Sequence, residues 1–207
     1  MARRFRRTRR GITAGLEPEE AGLLADLLAE VAQMLRSQEA ATGPSDEVAS
    51  DAEEDPLAAL ARDLEGGDGR VPDDPALARL LPPGSRDDDE AAADFRRFAQ
   101  RGIAARKRSA LERAVATLRR PAPLLLDDDE ARAWLTALTD VRLVLAQRLG
   151  LETDDDAALV ALRAAQAAED DPAAHAAALY DFLTWLQEGL ADVLLRDLPA
   201  GGGPARR

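Results

Sequence analysis

The sequence predicts an all-α fold, a helical bundle of about five main helices with a short N-terminal β-hairpin or arm. Hydrophobic residues make up 46% of the 207-residue chain and recur at helical spacing in several long segments. Acidic residues or Asp-Pro pairs stand where those segments begin, as they do at helix N-termini. No alternation of strands and helices indicates a parallel sheet.

Residues 1–16 form a basic arm, in which weak alternation and a turn near Gly11 predict a short strand pair or an ordered arm. Pro18 then suits the first turn of a helix that we expect to end near Gln38. The apolar residues at helical spacing in this segment predict its buried stripe. They are Leu23, Leu27, Val31, Met34 and Leu35.

Residues 17–198 are expected to form a single helical domain. It is interrupted by loops near 40–55 and 65–73, which we expect to be flexible because they are small and acidic and have too little apolar surface to offset ordering entropy. Short helices are predicted after the Asp-Pro pairs at Asp55 and Asp74. Residues 199–207 are expected to be a disordered tail.

The longest helix is predicted over residues 91–118. On an ideal helical wheel its apolar residues do not form one stripe, since Phe95 and Phe98 point well away from Leu111. We therefore expect either a break near Gly102 or contacts on several sides of the helix.

Three helices are predicted after Pro121 and Pro123. The first begins in the acidic run at 127–130 and ends at Gly150, a C-terminal cap. An Ala-rich helix follows from about 153 to 168, and the last opens at Asp171-Pro172. The apolar stripes of the first and last are Trp134, Leu138, Val141, Leu145 and Leu149, and Leu179, Phe182, Leu183, Leu186, Leu190, Val193 and Leu194.

Composition excludes several classes of chemistry. The chain contains no Cys, so it has no disulfide, no Cys-based zinc site and no thiolate nucleophile, and its one His leaves little imidazole chemistry. The acidic runs stand at predicted helix starts, where capping is a better interpretation than metal binding. His175, without a plausible partner, is expected to be structural or solvent-facing. We therefore expect no enzyme activity, cofactor or metal.

No segment approaches the roughly 18 apolar residues of a membrane-spanning helix. The basic residues 1–10 are followed by no apolar segment of a secretory signal. A cytoplasmic protein that does not bind membranes is the expectation.

Charge is unevenly distributed in a chain whose net charge is -12. Residues 1–10 hold six Arg and no acid, and residues 95–120 hold nine basic residues and one acid. These segments either pair with acidic segments of the same fold or form a basic surface for DNA or an acidic protein. On the second interpretation the contact residues are Arg3, Arg4, Arg6, Arg7, Arg97, Arg101, Arg106, Lys107 and Arg108.

Arg97, Arg101 and Arg108 fall within about 40° of one another on an ideal helical wheel and so predict one basic stripe. Aromatic residues cluster in the last third of the chain. We expect Trp134, Tyr180 and Trp185 to lie in the core between two long helices, with Trp185 as the alternative anchor for a partner.

Several segments together resemble an actinobacterial family that shares a domain of unknown function (DUF). They are FRRTRRG at 5–11, PDDPALARLLP at 72–82, DFRRFAQRGIAARKRSAL at 94–111, WLTALTDVRLVLAQRLG at 134–150 and LYDFLTWLQEGL at 179–190. Members of this family are known as AosR, an oxidative stress transcriptional regulator. The resemblance covers most of the chain, except the 40–70 loop and the termini.

The resemblance implies a regulator that works through the transcription machinery, with a sigma factor or RNA polymerase as its partner. Redox sensing in such a regulator would most naturally use Cys thiolates, and this chain has none. A direct thiol switch is therefore excluded for this member. The alternative function is a non-enzymatic helical adaptor or scaffold that docks a protein partner without touching DNA. The oligomeric state does not follow from the sequence.

Overall fold

The chain folds as a helical bundle with a small antiparallel sheet, in a computed structural model that describes residues 3–41, 71–85, 87–151, 156 and 171–196. The strands are β1 (Arg3–Thr8), β2 (Gly11–Gly15) and β3 (Leu124–Leu126). The helices are α1 (Pro18–Ala41), α2 (Pro75–Leu80), α3 (Asp89–Phe95), a π-helical segment (Arg96–Gln100), α4 (Arg101–Leu118), α5 (Asp128–Leu149) and α6 (Pro172–Arg196). The predicted fold class is confirmed.

Some of the sequence predictions concern other parts of the chain. The short helix after Asp55, most of the helix from 153 to 168 and the tail at 199–207 lie outside the described residues. So do the loops near 40–55 and 65–73, apart from the few residues at their outer ends.

The N-terminal strand pair is confirmed as an antiparallel hairpin, and β3 adds a third strand to give the order β1-β2-β3. Gly11 has φ +133°, and a Cβ at this position would lie 2.4 Å from the carbonyl oxygen of Leu126 in β3. The close strand approach therefore requires glycine. The sequence did not predict β3, because three leucines between a proline and an acidic run carry no readable alternation.

Helix α1 begins at Pro18 as predicted, but its buried face is turned by about one residue. Leu24, Leu28, Val31 and Leu35 are buried, whereas Leu23 is 50% exposed. The expectation that Leu23 is buried is wrong. Two overlapping sets of leucines are available in this segment, and contact with α4 selects one of them. The pattern within the helix alone does not make that choice.

The long helix predicted over 91–118 is present as α3, the π-helical segment and α4, which follow one another without a gap. Hydrogen bonds in a π-helix run from i to i+5, so this turn shifts the helical phase relative to an α-helix. The shift lies between Phe95 and Gly102, where the sequence predicted either a break or contacts on several sides. Phe98 is 65% exposed and therefore belongs to no buried stripe, so the phase shift and this exposure together account for the irregular pattern on an ideal wheel.

Helix α5 is the centre of the bundle, where it packs against α1, α2, α4 and α6. Asp127 caps α5 in a capping box with Glu130, and Gly150 ends the helix in the left-handed conformation with φ 68°, both as predicted. Trp134 is fully buried, and its indole N–H donates to Thr117 Oγ1 at 2.7 Å. The apolar stripe of α6 is confirmed, because Leu183, Leu186, Leu190 and Val193 are buried and the other three members pack against the core.

Candidate functional site

Strand β1 carries the basic arm along the outside of the bundle, at the edge of the sheet. A bulge interrupts its pairing with β2 between Arg3 and Arg6. In a bulge, two adjacent residues of one strand lie opposite a single residue of the partner strand, and the backbone bends there. Here it allows Phe5 to enter the core, edge-on to Trp134 at 5.9 Å, while Arg4 lies over the ring of Trp185 at 5.8 Å.

The remaining arginines of the hairpin fall into two groups. Arg7 forms an ion pair with Asp128 at the start of α5, with 2.5 Å between Nη1 and Oδ1. The others are exposed, and no carboxylate of the described residues lies within ion-pair distance of them. We call this second group the arm surface, and it consists of Arg3, Arg6, Arg9 and Arg10.

A groove lies beside the arm, between the N-terminal half of α5 and the C-terminal end of α6. Its volume is about 350 Å³. We call it the leucine groove; its apolar lining is Leu135, Ala191, Leu194 and Leu195, and its charged lining is Arg7, Asp128 and Arg132. Leu195 is 62% exposed, so the fold leaves this large apolar side chain in water. Arg7 belongs to both the hairpin and the groove.

The second basic segment is largely engaged inside the molecule. Lys107, the only lysine among 27 basic residues, lies 2.5 Å from Asp140 of α5, a carboxylate that is fully buried. Arg108 bonds to Glu39 of α1 at 3.0 Å and to Glu112 at 3.1 Å. These two side chains hold α4 against α5 and α1, so we do not include them in a contact surface.

The other candidates on this helix do not extend the arm surface. Arg101 is half-buried and Arg106 is exposed, while the side chain of Arg97 lies outside the described residues. The π-helical turn falls between Arg97 and Arg101, so the single basic stripe drawn on an ideal wheel does not hold across it.

Asp140 is the most unusual titratable group among the described residues. Its burial raises the pKa of the carboxyl above the ordinary 3.8, while the hydrogen bond and the charge of Lys107 lower it. One carboxylate oxygen, Oδ2, has no hydrogen-bond partner among the described residues. The pair therefore joins α4 to α5 at the cost of a desolvated charge.

The three singled-out aromatic residues have different surroundings. Trp134 lies in the core. Tyr180 is half-buried; Arg142 lies over its ring at 5.1 Å and donates to its hydroxyl at 3.2 Å. Trp185 is half-buried and stacks on Phe182 at 6.3 Å. The cation of Arg4 covers Trp185, so this ring fastens the arm to α6.

The acidic runs that the structure describes act as helix caps, as the sequence predicted. Asp88 Oδ1 accepts from the Ala91 amide at 2.9 Å, and Asp127 Oδ1 accepts from the Glu130 amide at 2.7 Å. Within the described part of the chain, no group of three His, Asp or Glu side chains is placed to hold a metal ion. His175 is exposed, with Nδ1 3.0 Å from the Asp171 carbonyl oxygen.

None of the helices that the structure describes is both long and apolar enough to cross a membrane. Sequence reasoning missed the leucine groove and Asp140, because both depend on contacts between distant segments. Leu195 carried a weak signal, since it lies outside the predicted stripe of the last helix.

Comparison with known proteins agrees with the resemblance drawn from the sequence motifs. A protein of Mycobacterium leprae (strain TN), whose name proposes it as the oxidative stress regulator AosR, is 29% identical over 196 residues. The alignment covers 86% of this chain and 80% of that protein. No solved structure matches the chain. The model of the domain of unknown function DUF2017 matches residues 2–194, and the chain belongs to this family.

Proposed function

We propose that the protein is a cytoplasmic, non-enzymatic regulator of the transcriptional response to oxidative stress, which acts through a contact with the transcription machinery. The name of the mycobacterial relative supports the oxidative-stress role. The observation that carries the contact is the arm surface. It consists of four exposed arginines of one hairpin, without carboxylate partners among the described residues, on a chain of net charge -12.

The arm surface fits an acidic protein face better than a DNA duplex. Binding to DNA is dominated by neutralising phosphates, and the net negative charge of this chain opposes that. Four arginines on one hairpin suffice to steer an acidic protein partner by electrostatic complementarity. A sigma factor or a subunit of RNA polymerase is the partner that the family resemblance implies.

The regulator responds to its signal without a thiol switch. The chain has no Cys, so its sulfur atoms are those of Met1 and Met34, and Met34 packs half-buried against the core, which reduces the access of an oxidant. We infer that its input is the partner or the amount of the regulator present, since no thiol is available to react with the oxidant.

The alternative function is a helical adaptor outside transcription, which would use the same surface to dock another protein. The leucine groove beside the arm favours it, since an exposed apolar patch rimmed by polar residues is a common feature of protein interaction sites.

A complementation experiment separates the two functions. A deletion strain of the encoding organism receives the wild-type chain, an arm variant (Arg6→Glu, Arg9→Glu, Arg10→Glu) or a control variant (Arg113→Glu, Arg119→Glu) that changes two exposed arginines of similar setting. Transcripts are then measured before and after peroxide. We expect the wild type and the control to restore the peroxide response and the arm variant to behave like the deletion. An unchanged transcript profile in the deletion strain itself would reject the regulator and favour the adaptor.

A further inference from the structure

The leucine groove and the arm surface meet at the edge strand β1, and both determine the chemistry of a ligand. Arg7 lines the groove, its neighbour Arg6 lies on the opposite face of the same edge strand, and Arg9 and Arg10 follow in the turn. From Arg7 to Arg10 the chain spans at most about 10 Å, at roughly 3.3 Å per residue. An extended peptide anchored in the groove therefore reaches the arginines of the turn within about four residues.

We propose that the leucine groove binds an extended acidic segment of a partner protein, which inserts an apolar side chain between α5 and α6 and lays its carboxylates along the arm surface. The proposal rests on the proposed function and names the chemistry of its partner. The groove volume of about 350 Å³ accepts a large apolar side chain, and burial of Leu195 against it removes an exposed apolar surface.

The charges at the groove favour an acidic segment over a basic one. Asp128 in the groove lining pairs with Arg7, Asp129 pairs with Arg132, and Asp192, next to Ala191 of the lining, is exposed. The four arginines of the arm surface outnumber that acid and make the potential positive along the arm. A segment of acids without apolar residues leaves the leucines exposed, and an apolar segment without acids gains nothing from the arm.

The same observations disfavour the other occupants. A DNA duplex has phosphates for the arm but no apolar group for Leu194 and Leu195. A second copy of the chain packed on this face brings a second set of four arginines into the same interface, and this like charge opposes the dimer. A protein segment of mixed acidic and apolar character matches both halves of the surface.

Fluorescence polarisation with three labelled 12-residue peptides tests the proposal on the full chain. One peptide alternates Asp and Leu, the second Asp and Ser, and the third Lys and Leu. We expect the Asp/Leu peptide to bind at least tenfold more tightly than either of the others. Equal binding of all three, preference for the Lys/Leu peptide, or no binding of the Asp/Leu peptide overturns the proposal.

Single variants then locate the binding site. Leu195→Glu changes a side chain that is 62% exposed, and Leu23→Glu is its matched control on α1, at 50% exposure. We expect Leu195→Glu and the arm variant each to weaken binding of the Asp/Leu peptide at least tenfold, while Leu23→Glu leaves it unchanged. A loss shared by Leu23→Glu, or no loss with Leu195→Glu, contradicts the assignment.

Two further outcomes would assign the surface to another occupant and reject the acidic segment. One is a 24-base-pair duplex that binds more tightly than the Asp/Leu peptide and is insensitive to Leu195→Glu. The other is a dimer, detected by sedimentation, that Leu195→Glu dissociates. The peptide assay contains no transcription, so it fails independently of the complementation experiment. If the peptide binds but the deletion strain shows no peroxide phenotype, the proposed regulatory function is rejected and the binding site stands. If the phenotype is present but the peptide does not bind, this binding site is rejected and the regulatory function stands.

Discussion

Replacing Lys107 with methionine removes the cation that faces Asp140 while keeping a side chain of similar length. The carboxylate then remains in a site where its side chain is 1% exposed and where Oδ2 has no hydrogen-bond partner among the described residues. Breaking a buried ion pair by removing one partner leaves an uncompensated charge, which typically costs about 3–5 kcal/mol. We therefore expect Lys107→Met to destabilise the fold strongly at neutral pH.

Protonation of Asp140 sets an upper limit on that cost. The native state of the variant escapes the buried charge by taking up a proton, whereas the carboxyl of the unfolded chain keeps its ordinary pKa of 3.8. Each pH unit above that value costs about 1.36 kcal/mol, so the limit is about 4.4 kcal/mol at pH 7 and about 1.6 kcal/mol at pH 5. Because the native state then binds more protons than the unfolded state, the stability of the variant falls as pH rises through this range.

Urea unfolding of the wild type and the variant at pH 7 and pH 5, followed by far-UV circular dichroism, measures both quantities. We expect a loss of about 3–4 kcal/mol at pH 7 that shrinks to less than about 2 kcal/mol at pH 5. The double variant Lys107→Met, Asp140→Leu should regain most of the loss, since an apolar pair replaces the buried ions. A loss of the same size at both pH values, or a double variant no more stable than Lys107→Met, would show that the buried charge of Asp140 is not the source of the loss.

Three other predictions concern stability and use the same unfolding assay. Thr117→Val leaves the buried indole N–H of Trp134 without its acceptor, so we expect a loss of about 1–3 kcal/mol; a neutral effect would mean that another acceptor replaces the hydroxyl. Asp127→Ala removes the capping box of α5 and should cost about 1 kcal/mol, and no loss would contradict the role of this acidic run as a cap. In Gly11→Ala the new Cβ meets the carbonyl oxygen of Leu126 at a positive φ, so the free energy of unfolding should fall by about 1–3 kcal/mol. Gly22 on α1 has open space around it, so Gly22→Ala should raise the free energy of unfolding by about 0.5–1 kcal/mol. Equal effects of the two variants would contradict the requirement for glycine in the hairpin.

The helix starts were predictable from the sequence because capping is local. Asp127 and Glu130 are three residues apart and bond to each other's backbone, so their spacing alone carries the signal. The same holds for Asp74, whose side chain accepts from the Ala76 amide at 2.8 Å. The stripe of α6 was also predictable, because it contains only one set of apolar residues at helical spacing.

The features that sequence reasoning missed depend on distant partners. Strand β3 exists because β2 lies beside it, more than 100 residues away in the chain. Asp140 is buried on the core side of α5, although the sequence there offers no reason to place a charge inside. The burial of Leu24 in place of Leu23 follows from the position of α4. Each depends on tertiary packing, which the local pattern does not encode.

The candidate site was predictable only in part. The arm was visible as a run of arginines, but the bulge in β1 that lets Phe5 enter the core and Arg4 cover Trp185 was not. The stripe of Arg97, Arg101 and Arg108 on the long helix does not hold, because a π-helical turn interrupts it and because Arg108 bonds to Glu39 of α1. The groove lies between two helices whose contact the sequence does not specify.

The most direct test of the central claim is affinity purification of the wild-type chain and the arm variant from the encoding organism, with and without peroxide, after nuclease treatment and with identification by mass spectrometry. We expect to recover a sigma factor or RNA polymerase subunits with the wild type and with the Arg113/Arg119 control, and to lose them with the arm variant. Equal recovery with the arm variant, or no recovery with the wild type in either condition, would contradict a contact between the arm surface and the transcription machinery.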